Sequence, residues 1–272
     1  MDSLSRYEIH RCSLRTRLTR RGPAPRSAEP LAVPESVHQI TYISEGHSLA
    51  AFLELPGPPE KGPYPGVLFS HGGCAVKTEH FEKTRAFLEA GLAVLSPLYR
   101  GEHENPGHFE LFLGEVDDAQ AALRWFAGQS FTDASRLYAF GHSMGGEIAA
   151  LLSLFSRTPL RMTGSSGAFF LRSDPFGTCS MFGLEPPFDS GIHEEVEVRL
   201  LRGHVADMVR PHIAYLGESD EKFADGSYKD LDTQGTRLSV HSVPGDHDTS
   251  VFPAAQAFAE RIIEDRSTAQ PG

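Results

Sequence analysis

Gly141-His142-Ser143-Met144-Gly145-Gly146 sets a serine between two glycines at the spacing G-x-S-x-G. A serine hydroxyl is a weak nucleophile until a base takes its proton, so it needs a histidine in reach. A carboxylate must then orient that histidine and stabilise the imidazolium. The glycines matter because a reactive serine has to stand on a sharp strand-to-helix turn where bulkier neighbours would collide. Leu137-Tyr138-Ala139-Phe140 predicts a strand before the motif. Ile148, Ala149, Leu151, Leu152 and Phe155 predict an apolar helix face over 144–155 after it. An ordinary turn with a helix-capping serine is the plainer alternative, and the strand–turn–helix context favours the nucleophile.

Thirteen histidines are available, so order and position must choose among them. When the nucleophile stands on such an elbow, the acid follows it and the base comes last, each on a loop after a strand. Asp220 follows the predicted strand 212–216, and His247 follows the predicted strand 238–243. Ser143, Asp220 and His247 are therefore the expected catalytic set. His193 and His204 fall in an irregular stretch, and His212 and His241 fall inside predicted strands. Glu218 and Asp225 are the nearest rivals to Asp220; Asp246 and Asp248 adjoin the base too closely in sequence to hold its Nδ1.

Acyl transfer builds negative charge on a carbonyl oxygen, and backbone N–H groups must already face it. Met144, just after the nucleophile, is one expected donor, and the loop His71-Gly72-Gly73-Cys74 supplies the other from Gly73 or Cys74. His71, Gly72, His142 and Phe109 complete the expected substrate-binding residues. A cysteine nucleophile at Cys74 is disfavoured because it lies outside the elbow. Glu147, Asp117 and Asp118 sit in first helical turns, where complementing the helix dipole accounts for them.

These residues need a scaffold. Apolar stretches at 37–43 and 49–55 flank Glu45-Gly46-His47, a hairpin pattern. Buried strands are expected at 66–70 and 92–96, helices at 79–90 and 115–127, and a closing helix from 253 to 264. Strands apolar on both faces and alternating with helices predict an α/β domain with a mostly parallel sheet covered on both sides. Residues 171–210 break the rhythm and predict a small insertion over the sheet edge. Its phenylalanines, with Phe109 and Phe112, either line a pocket or pack the insertion down. Residues 1–33 are Arg-rich and predict a basic extension, either a poorly ordered tail or a peripheral strand, ahead of a single domain at 34–272; a transit peptide is the less favoured reading.

The chain has 272 residues, 40% hydrophobic and 22% charged, with a net charge of −11. That is a globular composition whose charge disfavours nucleic acid. Its three cysteines lack zinc-like spacing and predict neither a disulfide framework nor a metal site. No apolar run nears the ~20 residues that span a bilayer. A cytoplasmic protein is expected, and oligomeric state is left open.

Taken in order, His71-Gly72-Gly73, Tyr99-Arg100-Gly101, Gly114-Glu115-Val116-Asp117-Asp118 leading to Trp125, the serine motif, Gly217-x-x-Asp220 and His247 resemble the catalytic domain of the prolyl-oligopeptidase family and its dienelactone-hydrolase-like and esterase relatives. The resemblance covers roughly residues 60–265. It implies an α/β-hydrolase fold in which the matching Ser, Asp and His form the triad. No β-propeller precedes this region, so the size filter of the large peptidases is not expected. Dienelactone hydrolases proper carry cysteine where Ser143 stands. Residues 102–109 replace the usual small-residue segment, so the family's substrate contacts are not carried over there. The expected activity is hydrolysis of a small or medium carboxylic ester without metal or organic cofactor. Cleavage of short peptides or amides, a catalytically silent binding module, and an interaction protein docking through its basic tail are the alternatives.

Overall fold

The computed structural model describes residues 4–25, 30–172, 176, 185–231 and 233–268. The chain opens with α1 (Arg6–Ser13), followed by the antiparallel hairpin β1 (His38–Ser44) and β2 (His47–Glu54). Then come β3 (Tyr64–Ser70), the short helices α2 (His80–Lys83) and α3 (Arg85–Glu89), β4 (Ala93–Pro97) and α4 (Gly114–Ala127). The second half holds β5 (Thr132–His142), α5 (Met144–Leu152), β6 (Met162–Ser166), α6 (His193–Glu197), β7 (His212–Gly217), β8 (Leu238–Val243) and α7 (Val251–Thr268).

Eight strands form one sheet in the order β1-β2-β4-β3-β5-β6-β7-β8. The β1–β2 and β2–β4 pairings are antiparallel, and every later pairing is parallel. The expected α/β sheet with an antiparallel start is therefore present. One face packs Val116, Leu123, Ile148 and Leu151 from α4 and α5, and the other packs Phe87, Phe258 and Ile262 from α3 and α7. Each layer buries the apolar stripe of its helices against strands that are apolar on both sides.

The sheet also aligns the loops that carry chemistry. Gly141 pairs with Ser165, Ser166 with Tyr215, and Gly217 with Val243, so strands β5 to β8 end along one edge. Backbone bonds continue past the strand ends: Ser143 N–H to Ser166 O at 2.8 Å, Gly167 N–H to Tyr215 O at 3.0 Å, and Ser219 N–H to Gly245 O at 3.0 Å. Ladder hydrogen bonds thus set the mutual positions of three loops far apart in sequence.

Three expectations need correction. The helix expected over 79–90 is broken at Thr84, whose hydroxyl donates to Phe81 O and to the Glu54 carboxylate. The Arg-rich extension is neither a loose tail nor chiefly a strand: α1 is docked by a capping box between Ser5 and Glu8. Tyr7 is fully buried there and donates to Val198 O at 2.7 Å. A single bridge from Leu18 to Phe188 is all the strand character the extension has among the described residues. Asp117 and Asp118 do more than complement the helix dipole. Asp117 accepts from Arg11, and Asp118 accepts from Arg100 at three N–H groups.

Of the 171–210 insertion, residues 173–175 and 177–184, with Phe182, lie outside the described residues. Phe112, Phe170, Phe176 and Phe188 are buried, with ring contacts from Phe112 to Phe176 and from Phe176 to Phe188. These aromatics pack the insertion onto the core. Among the described residues no helix is long and apolar enough to cross a membrane.

Candidate active site

Ser143 sits between β5 and α5 with φ of 54° and ψ of −114°. Only an over-determined backbone holds a non-glycine residue there, and the flanking glycines show how. A Cβ at Gly141 would run into the Gly145 backbone, and a Cβ at Gly145 into the carbonyls of Ser70 and His71. Both glycines of the motif are thus required by contact rather than by flexibility.

His247 Nε2 lies 2.9 Å from Ser143 Oγ, and His247 Nδ1 lies 2.8 Å from Asp220 Oδ2. The Asp220 side chain is buried, and its other oxygen accepts the Lys222 N–H. Asp246 organises the histidine's loop, accepting from the N–H groups of Asp248 and Thr249 and from the Thr249 hydroxyl. The three residues that order and position singled out are thus brought into one hydrogen-bonded chain. The rivals lie elsewhere. His212 is clamped between Thr163 Oγ1 and Ser165 Oγ, His204 pairs with Asp207, and Asp225 caps the Ser227 N–H.

Met144 is the first residue of α5, where an N–H has no partner within the helix. Met144, Gly73 and Cys74 all line the same cleft as Ser143 and His247. Cys74 Sγ is 3.7 Å from Met144 Sδ, which sets the two loops side by side.

The cleft has a volume of about 390 Å³, and Phe169, Pro25, Gly72 and His142 also contribute to its wall. Pro25 comes from the N-terminal extension, held by Ala24 N–H to Gly101 O at 2.8 Å. His71, with Nε2 3.1 Å from Glu102 Oε2, and Phe109, whose N–H is bonded to Gly22 O, are both buried. They line a smaller adjoining pocket that shares Gly73, Cys74 and Met144 with the cleft. Neither lines the cleft itself. Gly72 and His142 do. His142 is buried, and its Nε2 donates to His247 O at 2.8 Å. Burial, then the charge of Lys83, pushes the His142 pKa down to about 3, so a neutral ring stands beside His247.

Glu102 is the residue that motif reasoning missed. Its carboxylate is buried and accepts from Val76 N–H, Tyr99 N–H and His71, tying the 71–76 loop to the chain after β4. Burial lowers the His71 pKa, but the adjacent Glu102 carboxylate outweighs it and the net shift is upward. A lone Glu in an irregular loop carries no sequence signature, so only the fold reveals this clamp.

Residues 79–161 match the prolyl oligopeptidase family. An uncharacterized protein of Mycobacterium tuberculosis is 37% identical over 135 residues, spanning 49% of this chain and 46% of its own. The uncharacterized peptidase YtmA of Bacillus subtilis is 30% identical over 135 residues, 49% of each chain. The match thus spans about half the length of these curated relatives. Among solved structures, the hyperthermophilic esterase of Pyrobaculum calidifontis superposes with a TM-score of 0.65 at 20% identity, covering 88% of this chain and 87% of its own. The acylaminoacyl peptidase of Pyrococcus horikoshii gives 0.62 at 15% identity, covering 85% of this chain and 40% of its own.

The fold is that of the α/β-hydrolases. Within that fold, residues 79–161, from α2 through the serine elbow, resemble the prolyl oligopeptidase family.

Proposed function

We propose that the protein is a serine hydrolase that cleaves a small or medium carboxylic ester through an acyl-enzyme. The observation that carries this reading is the continuous hydrogen-bonded chain from Ser143 through His247 to Asp220. Ser143 Oγ attacks the carbonyl carbon while His247 Nε2 takes its proton. Asp220 holds the Nδ1–H and so keeps Nε2 free to accept. The tetrahedral oxyanion is met by the Met144 N–H and a backbone N–H of Gly73 or Cys74, each donor being worth about 10²–10³ in rate. His247 then protonates the leaving alcohol, and a water molecule repeats the sequence on the acyl-enzyme. No metal or organic cofactor takes part in these steps. A reducing, cytoplasmic setting goes with this reading, since the three cysteines lack the spacing of a disulfide framework.

A second reading, cleavage of short peptides, draws on the family match and on the acylaminoacyl peptidase likeness. The test is labelling with a fluorophosphonate, read by intact mass, on the protein and on Ser143→Ala. One adduct on the former and none on the latter is expected. Absence of labelling on folded protein overturns the hydrolase reading. Parallel turnover of p-nitrophenyl esters and of aminoacyl p-nitroanilides then separates ester from peptide preference.

A further inference from the structure

The chain carries five lysines, Lys61, Lys77, Lys83, Lys222 and Lys229, against twenty arginines. Three of the five, Lys77, Lys83 and Lys222, line the cleft of Ser143, and among the described residues no arginine does. In a protein of net charge −11 this is a local reversal of sign. Lys83 is the informative member. It is 7% exposed at the end of α2, and no carboxylate lies within ion-pair distance of it among the described residues. Glu79 and Asp248 act on it only as more distant charges, and burial pulls its pKa down. A largely buried lysine that lines a cleft with no carboxylate at ion-pair distance is placed to meet an incoming anion, which supplies the opposite charge.

The remaining side chains bear on which anion that is. Of the two histidines in the cleft wall besides His247, burial first and then neighbouring positive charge keep both His80 and His142 neutral. The ammonium groups of Lys77, Lys83 and Lys222 share the wall with the carboxylates of Glu79 and Asp248. Among the described residues the wall holds no arginine fork of the planar, bidentate kind that suits phosphate, and a carboxylate matches the lysines.

We propose that the ester this cleft accepts carries a free carboxylate, anchored by Lys83 with Lys77 and Lys222 around it. This deepens the hydrolase reading and rests on Ser143 being the nucleophile. The substrate class is a half-ester of a dicarboxylic acid, or an ester whose alcohol bears a carboxylate. Binding energy from the carboxylate, which takes no part in bond-breaking, holds the scissile carbonyl against Ser143.

The experiment compares kcat/KM for mono-p-nitrophenyl glutarate with that for p-nitrophenyl valerate, a neutral ester of similar length. A second pair, 4-acetoxybenzoate and phenyl acetate, places the carboxylate on the alcohol side. The anionic member of at least one pair is expected to be preferred about tenfold after correction for intrinsic reactivity, the size of one charged hydrogen bond. Lys83→Met is expected to abolish that preference. Lys77→Gln, at an exposed position that leaves folding undisturbed, is expected to lower it. Preference for the neutral ester in both pairs, or a preference unchanged in both variants, overturns the proposal. Glutarate binding to Ser143→Ala, followed by calorimetry, is expected to be lost in the Ser143→Ala, Lys83→Met double variant. Glutarate bound through Lys83 without fluorophosphonate labelling would sink the hydrolase reading and leave the anion site standing. Labelling without glutarate binding or anionic preference would do the reverse.

Discussion

At the scale of single residues, the hydroxyl, imidazole and carboxylate are useful only in one protonation arrangement. Asp220 Oδ2 at 2.8 Å from His247 Nδ1 requires the proton on Nδ1, which leaves the Nε2 lone pair facing Ser143. Asp220→Asn keeps the size but lets the amide donate to Nδ1, which puts the imidazole proton on Nε2, where it cannot accept. Ester turnover is expected to fall by about 10⁴ in kcat, with little change in fold. Loss of less than tenfold would assign the orienting role to another group. These three positions were legible in the sequence because each adjoins a recognisable strand, and because the elbow glycines carry a steric signature. Glu102 and the lysine cluster were not, since their meaning arises only when loops from separate parts of the chain meet.

At the scale of elements, legibility followed local pattern. The alternating strands and helices that carry Ser143 were plain from apolar periodicity. β6 was not foreseen, because Met162-Thr163-Gly164-Ser165-Ser166 has small polar residues where a buried strand usually shows branched apolar ones. Its buried hydroxyls are satisfied from outside the element, Thr163 and Ser165 by the ring of His212. α1 was hidden for a related reason. Its sequence is polar and arginine-rich, and its place is fixed by tertiary contacts of Tyr7, whose ring stands edge-on to Phe155 and His204. Tyr7→Ala removes a fully buried ring and leaves the Val198 carbonyl unpaired. A loss of about 3–5 kcal/mol in urea unfolding is expected, the usual range for a buried aromatic cut to alanine. A dispensable docking arm would show no loss, and that outcome would separate α1 from the domain's core.

The whole molecule holds ionisable groups in its interior, and their displaced pKa values shape its stability against pH. Burial pushes Glu147 up to about 8 and Glu115 up to about 7. Glu147 accepts the N–H groups of Phe170 and Leu201, so it fastens the serine helix to the insertion. A carboxyl raised in the folded state binds its proton more tightly there than in the unfolded chain. Its contribution is complete below the unfolded pKa near 4.5 and is lost as pH rises through 7 and 8. Burial drives His212 and His142 the other way, to about 3 each. A histidine depressed in this way contributes fully above the unfolded pKa of 6.5, and that contribution is lost as pH falls toward 3. Between 4.5 and 6.5 the two sets oppose one another. Above 6.5 the carboxyls still change, and so does His71, whose contribution, raised by Glu102, is likewise lost as pH rises; below 4.5 the histidines change, joined there by Glu8 and Glu195, which their hydrogen bonds hold below the ordinary value against burial. The melting temperature is therefore expected to peak in that middle window and to fall on both sides, each group setting a slope of at most about 1.4 kcal/mol per pH unit. Glu147→Gln removes one titrating group, so its decline between pH 6.5 and 8 is expected to be shallower even though its overall stability is lower. Melting curves on both proteins across pH 4 to 9 decide the matter. A melting temperature that keeps rising from pH 6.5 to 8, or a variant with an unchanged alkaline slope, would show that Glu147 is already ionised in the folded protein and that its two N–H bonds outweigh its burial.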